Sequence, residues 1–242
     1  MYPLPQRIMD AFEHASALVV EVDIRKTNQS STMALLGEMG FYHDGSSLQT
    51  HLSASQYQRL AEKVEQFGLP LDAIKVQKPW LAVLSLSAIS VKDQGFSEHF
   101  GVDQYFLNRA ANKRVIEIES IEKQLRLMNG FSDKEQSWML DQSLNELDQA
   151  DVELKAMVGN WKTGDEKRFE QQITKGFPKD KISQSIYNAV FIDRNKTMAS
   201  NIVRMAVAEP GIYFVVVGAG HMIGPEGIPT LLKNKGYVVN RY

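Results

Sequence analysis

The chain has 242 residues, 27 Lys+Arg against 29 Asp+Glu and a formal net charge of -2, a balance without the basic stripe that a phosphate backbone requires, so nucleic acid is not an expected partner. The absence of cysteine excludes disulfides, thiolate metal ligands and a cysteine nucleophile, and it leaves the compartment open. The longest apolar runs, Trp80 to Val91 broken by serines and Tyr213 to Val217, fall far below the roughly 20 residues that cross a bilayer, so no membrane span is expected.

The opening Met1-Tyr2-Pro3-Leu4-Pro5 has neither the basic nor the apolar stretch of a signal peptide. Ile8, Phe12 and Ala15 are spaced for a helix over Gln6 to Ala15, and the run Ala17-Leu18-Val19-Val20-Glu21-Val22-Asp23 reads as a buried strand. Arg25 to Thr32 reads as a polar loop, and Phe41 to Leu52, with Asp44-Gly45 at its turn, as a short hairpin or edge strand. Ser53 to Val91 is helical in two or three pieces, broken at Gly68-Leu69-Pro70 and at Lys78-Pro79, where proline opposes continuation of a preceding helix.

A further helix over Asp103 to Asn112 leads to a second strand, Arg114 to Glu119, and Ser120 then starts a helix through Leu127. Ser132-Asp133-Lys134-Glu135 has capping-box spacing, and Leu140, Leu144, Leu147, Leu154 and Val158 continue along one face of the long helix it predicts. That helix opens a mainly helical insertion running from about 132 to 184. Asp193 to Ala208 then forms a helix with Met198, Ile202, Met205 and Ala206 inward, closed by Pro210-Gly211. Ile212 to Val217 is the strongest strand pattern; a helix entered at Pro225 and a last strand at Tyr237-Val238-Val239 complete a single domain over 1–242.

Gly218-Ala219-Gly220-His221 ends an apolar strand, so its glycines permit a tight turn that presents His221 at the carboxyl edge of the sheet, where ligands of open sheets bind. A strand-end histidine is otherwise a hydrogen-bonded structural residue, and both readings stand. Glu21 and Glu119 each lie on a β-branched core strand, where a carboxylate is costly unless paired, coordinated or at the open end. They form either a shared polar site or two strand caps ion-paired with a partner such as Arg194. His14, His51 and His99 read as solvated, and a second literal GxxH, Gly40-Phe41-Tyr42-His43, reads as coincidence because no core strand precedes it. The glycine turn with Gly224 approximates a dinucleotide loop, but Tyr237 to Tyr242 lacks the acidic strand end that such a loop needs. No GxSxG elbow, P-loop or HExxH helix is present.

Several segments together resemble the TraB/GumN family, which includes the Tiki and pheromone-shutdown proteins. They are Tyr2-Pro3-Leu4-Pro5, Leu18 to Asp23, Lys78-Pro79-Trp80, Gly101 to Leu107, Ile116 to Ser120, Asp193 to Ala199 and Val217 to Gly227, in that order over nearly the whole chain. The resemblance implies an α+β fold of the EreA/ChaN-like and Tiki-like kind: a central mixed β-sheet flanked by helices, with the helical insertion. It also implies a metal-dependent hydrolase or peptidase in which Glu21, Glu119 and Arg194 are catalytic and His221 and Glu21 hold a divalent metal, Mn, Co or Zn. Such a metal would polarise a scissile carbonyl and acidify a bound water, with Arg194 stabilising the oxyanion.

The chain departs from the family in lacking the first GxxH upstream of Tyr2. That absence predicts weak or absent metal binding, an inactive chain as given, and either an internal start or a degenerate member. A missing strand would leave a sheet edge unpaired and favour a homo-oligomer. The expected partner is a peptide or protein substrate. The alternatives are a non-catalytic peptide-binding or regulatory domain and a metal-free esterase-like site in which Glu and His act as acid and base. Related bacterial proteins are often exported, so a periplasmic location is the expectation from resemblance.

Overall fold

A computed structural model describes residues 3–26 and 28–242; Met1, Tyr2 and Thr27, and with them parts of the opening segment and of the polar loop, lie outside the described residues. The fold is α+β. Three short strands, β1 (Ala17–Val20), β2 (Arg114–Glu117) and β3 (Tyr213–Val216), pair in parallel in the order β2-β1-β3. The family resemblance implies a mixed sheet; the strands among the described residues are all parallel, and some ninety residues separate each from the next, as crossover connections require.

The register sets Ala17 opposite Arg114 and Tyr213, and Val20 opposite Glu117 and Val216. All three strands therefore end together, and the residues that follow them gather on one edge. Central β1 is fully buried, and its alternation sends Leu18 and Val20 to one face and Val19 to the other. On the first face they meet Phe12 of the helix Gln6–His14 and Phe106 and Leu107 of the helix Val102–Arg109. On the second, Val19 meets Met198 and Ile202 of the helix Asp193–Ala208 and Ile228 and Leu232 of the helix Ile228–Lys233. Covering both faces with helices is what a parallel sheet needs.

A separate helical core forms where Pro79–Asp93 packs on Asp133–Leu147, burying Leu60, Val64, Leu86, Leu140 and Leu144. The Ser132–Glu135 capping box is present, its side chains satisfying each other's backbone N–H groups. The helix it starts does not run through Val158: it ends at Leu147, and Leu154 and Val158 belong to the next helix, Ala150–Thr163.

Three expected local structures are corrected. The polar stretch ending at Thr32 is a loop only at its start, because a helix runs over Gln29–Gly40, with Asn28 accepting from the Ser31 N–H at 3.2 Å. Its polar first turn hides it in the sequence, while Leu35, Leu36 and Met39 further along pack with Trp80, Leu81 and Leu125. Phe41 to Leu52 forms no hairpin: Phe41 makes one isolated antiparallel bridge to Gln77, and Leu48–His51 is a single helical turn. Tyr237 to Val239 is not a strand. The Tyr237 N–H caps the preceding helix at Leu232 O, helped by Gly236 at φ 86°, and this lays Tyr237 and Val239 on the second-face cluster. The helix expected from Pro225 begins at Ile228, with Pro229 in its first turn. No helix among the described residues is long and apolar enough to cross a membrane.

Candidate functional site

The common carboxyl edge of the strands brings three segments side by side. The β1–β2 ladder continues past the strands, with Ile118 N–H donating to Val20 O at 3.0 Å and Glu119 N–H to Glu21 O at 2.9 Å. Glu21 and Glu119 are thereby neighbours. From the end of β3 the Gly218 N–H donates to Glu21 Oε1 at 2.5 Å, so Glu21 is tied through its backbone carbonyl to the end of β2 and through its carboxylate to the end of β3.

Arg194 enters from above. Its helix continues from Lys181–Tyr187 through one wide π-turn, Asn188–Ile192, and such turns re-aim side chains at functional sites. Arg194 Nε donates to Glu119 Oε1 at 2.9 Å, and Nη2 donates to Glu119 Oε2 at 2.6 Å and to Glu21 Oε2 at 3.1 Å. Nη1 donates at 3.3 Å to Val190 O, one turn back in the widened segment. Gln124, on the helix Ile121–Gly130 that Ser120 caps, donates to Glu119 Oε2 at 2.6 Å and to Glu21 Oε2 at 3.4 Å. Burial pushes the Glu119 carboxyl upward, but the bonds from Arg194 and Gln124 outweigh it and hold the group below the ordinary carboxylate range. Arg194 shows the mirror effect: burial works against its charge, yet bonding to Glu119 holds its pKa above the usual arginine value.

His221 is buried in the short turn Ala219–Met222. Its Nδ1 lies 2.6 Å from Asn195 Oδ1, and Asn195 Nδ2 donates to Glu226 O at 2.8 Å. That second bond fixes the amide with its oxygen toward the ring, so Nδ1 carries the proton and Nε2 keeps a lone pair. Burial lowers the His221 pKa, a shift that Glu21 opposes and Arg194 reinforces, so the ring is neutral at neutral pH. Gly218 separates His221 from Glu21. A Cβ there would stand 3.2 Å from Glu21 Oε1 and 3.6 Å from His221 Cδ2, so the missing side chain is what leaves room between them.

All four residues singled out in the sequence lie at one edge: Glu21, Glu119 and Arg194 in direct contact, with His221 across Gly218. Gln124, Asn195 and Phe191, whose ring packs 5.7 Å from that of His221, were missed. Gln124 had a faint signal, one helical turn past the capping Ser120, and Asn195 had its place beside Arg194. The remaining histidines lie elsewhere. His14 contacts Asp10 O, His43 contacts Gly37 O and Glu38 O in its own neighbourhood, His51 stacks on Tyr42, and His99 is exposed in a surface turn.

In kind, the donors suit a divalent ion: the His221 Nε2 lone pair and the Glu21 carboxylate are a nitrogen and an oxygen ligand beside the space at Gly218. Among the described residues no third His, Cys, Asp or Glu joins them into a cluster. Two protein donors would leave the other positions of such an ion to water or substrate.

The arrangement defines a class: an α+β protein with a half-buried His–Glu–Glu–Arg centre at the carboxyl edge of a small parallel sheet. The sequence profile of the TraB/PrgY/gumN family matches residues 1–241, and the chain belongs to that family. It is 26% identical to uncharacterized protein YbaP of Escherichia coli (strain K12), over 96% of this chain and 83% of that protein, and equally to YbaP of Shigella flexneri. An uncharacterized protein of Treponema pallidum (strain Nichols) is 21% identical, over 95% of this chain and 71% of that protein. No solved structure matches the chain significantly.

Proposed function

We propose that this edge is a hydrolytic centre acting on amide bonds of peptides. The observation that carries the reading is the fixed state of His221: Asn195 holds the Nδ1 proton and leaves Nε2 free as a base, in a buried ring whose pKa is lowered. His221 Nε2 takes a proton from water as the water attacks the carbonyl carbon, and Arg194 faces the negative charge that develops on the carbonyl oxygen. The proton on Nε2 then passes to the leaving amine as the C–N bond breaks. Glu21 and Glu119 hold the guanidinium in place and offset its charge. A divalent ion, where bound, would be held by His221 and Glu21 and would add polarisation of the carbonyl and acidification of the attacking water.

The test is hydrolysis of a mixed peptide library by the wild-type chain, by His221→Ala and by Arg194→Lys, each with and without a strong chelator or added Mn, Co or Zn. Hydrolysis that vanishes in His221→Ala supports the reading; dependence on metal assigns the ion, and survival of chelator assigns a metal-free acid–base site. No turnover under any condition removes the hydrolase reading.

One observation favours a non-catalytic peptide-binding domain instead. Each carboxylate oxygen of Glu21 and Glu119 already accepts a hydrogen bond from Arg194, Gln124 or the Gly218 N–H, an arrangement that structural ion pairs also adopt. Peptide binding without turnover would identify that case.

A further inference from the structure

The two edges of the sheet differ in chemistry. β2 carries Arg114 and Glu117, both exposed, at its two ends, and charges so placed keep an edge from pairing with another chain. β3 carries Tyr-Phe-Val-Val, and the run from Pro210 to Gly220 around it contains no charged residue. Pro210, which would also blunt an edge, stands before the strand and not in it.

On its inner side β3 is laddered to β1. On its outer side no further strand follows among the described residues, and no group other than β1 bonds to the backbone of Tyr213–Val216. An edge strand turns alternate N–H and C=O groups outward, so β3 presents donors and acceptors that no protein group answers. The strand is open along that side. Its side chains pack on the two face clusters, yet Tyr213, Phe214 and Val215 stay half-exposed, whereas all four residues of β1 are fully buried. Ile212, which leads into the strand, is 65% exposed.

An apolar edge without charge is its own complement, because two copies related by a two-fold axis meet antiparallel with no like charges opposed. We propose that β3 pairs antiparallel with β3 of a second copy of this chain, so that the order β2-β1-β3 continues as β3-β1-β2 of that copy. Pairing the four strand residues with themselves sets Tyr213 beside the second copy's Val216. It also sets the second copy's Ile212 beside Val217, one residue before Gly218, and so covers the most exposed apolar residue of this edge. The inference stands apart from turnover at His221, since it uses no group of that centre.

The experiment reads the mass of the full chain by light scattering over a dilution series, with amide hydrogen exchange on the same samples. The expected result is a mass that rises from one chain to two with concentration. At a concentration ten times the dissociation constant, exchange of the Tyr213–Val216 amides should slow by about tenfold relative to dilute protein, while the edge of β2 does not change. Ile212→Lys places a charge on the open edge and should hold the chain as one copy with its unfolding midpoint unchanged. Val152→Lys, at an equally exposed apolar residue of the helix Ala150–Thr163, should still pair. The mass of one chain at every concentration would overturn the proposal and leave the edge to a strand of different sequence. Pairing that persists in Ile212→Lys, or that slows exchange elsewhere and not at β3, would overturn it as well. Peptide hydrolysis is assayed separately, so failure of the hydrolytic reading leaves this result untouched.

Discussion

Arg194 and Glu119 form a two-pronged pair in which Nε and Nη2 each donate to a different oxygen of one carboxylate, at 2.9 and 2.6 Å. Both side chains are largely shielded, 17% and 9% exposed, so neither charge has water to fall back on. Removing one partner of such a pair leaves the other charge buried and uncompensated, which costs about 3–5 kcal/mol. Arg194→Ala is expected to lower unfolding stability by about that amount, and Arg194→Lys to recover only part of it, because a point ammonium cannot reproduce the fork. Urea denaturation of the wild type, both variants, Glu119→Gln and the double variant measures this; additivity of Arg194→Ala and Glu119→Gln would show that the two residues are not coupled.

The tautomer of His221 gives a second expectation. With Asn195 Oδ1 accepting from Nδ1, nitrogen NMR at neutral pH should report a neutral ring protonated at Nδ1. Asn195→Leu removes that acceptor and also the donor to Glu226 O, so the ring should lose its fixed tautomer and the fold about 1–3 kcal/mol. A wild-type spectrum with the proton on Nε2 would contradict the geometry.

Much of this edge was legible in the sequence because its chemistry conflicts with its surroundings. A glutamate in Leu18-Val19-Val20-Glu21 or Ile116-Glu117-Ile118-Glu119 is costly unless something answers it, and the glycines before His221 announce a turn. Gln124 and Asn195 carried no such conflict, since an amide satisfies itself equally well in water. The helix Gln29–Gly40 escaped notice because its first turn is Gln-Ser-Ser-Thr, and its apolar residues find Trp80 and Leu125 only in the fold. The tail Tyr237-Val238-Val239 has strand propensity, but a cap on the preceding helix decides its course.

Asp23 offers a test of pH dependence. It is fully shielded from solvent, and Arg25 donates to both its oxygens, Nε at 2.9 Å and Nη2 at 2.8 Å. The Arg25 bonds hold its carboxyl below the ordinary value against the opposing effect of burial. A depressed folded pKa means that the stabilisation is complete above the unfolded value of about 4 and is lost as pH falls through the lower folded value. Asp23→Asn should therefore cost about 1–3 kcal/mol at pH 7, and the gap from wild type should close as pH falls below about 4. Stability curves taken between about pH 3 and 7 decide it; a gap that stays constant would assign the loss to packing.

Glycines separate the strained from the permissive parts of the backbone. A Cβ on Gly227 would run into the carbonyl oxygen of Ile223 and stand 2.8 Å from its carbonyl carbon, both backbone atoms, so no side-chain movement relieves the clash. At Gly220 the obstacle is Phe191 Cε1 at 2.8 Å, a ring that can shift but packs on His221. Gly37, inside the helix Gln29–Gly40, meets nothing within 4 Å. Gly37→Ala should therefore stabilise by about 0.5–1 kcal/mol through reduced freedom of the unfolded chain. Gly220→Ala should cost about 1–3 kcal/mol and displace the His221 ring signals. Gly227→Ala should cost more than either, because the hydrogen bond from Gly227 N–H to Gly224 O and the entry to the last helix must move with it. Thermal and urea unfolding of the three variants gives the order, and a Gly227→Ala chain as stable as Gly37→Ala would mean that the turn from His221 to that helix is looser than its contacts require.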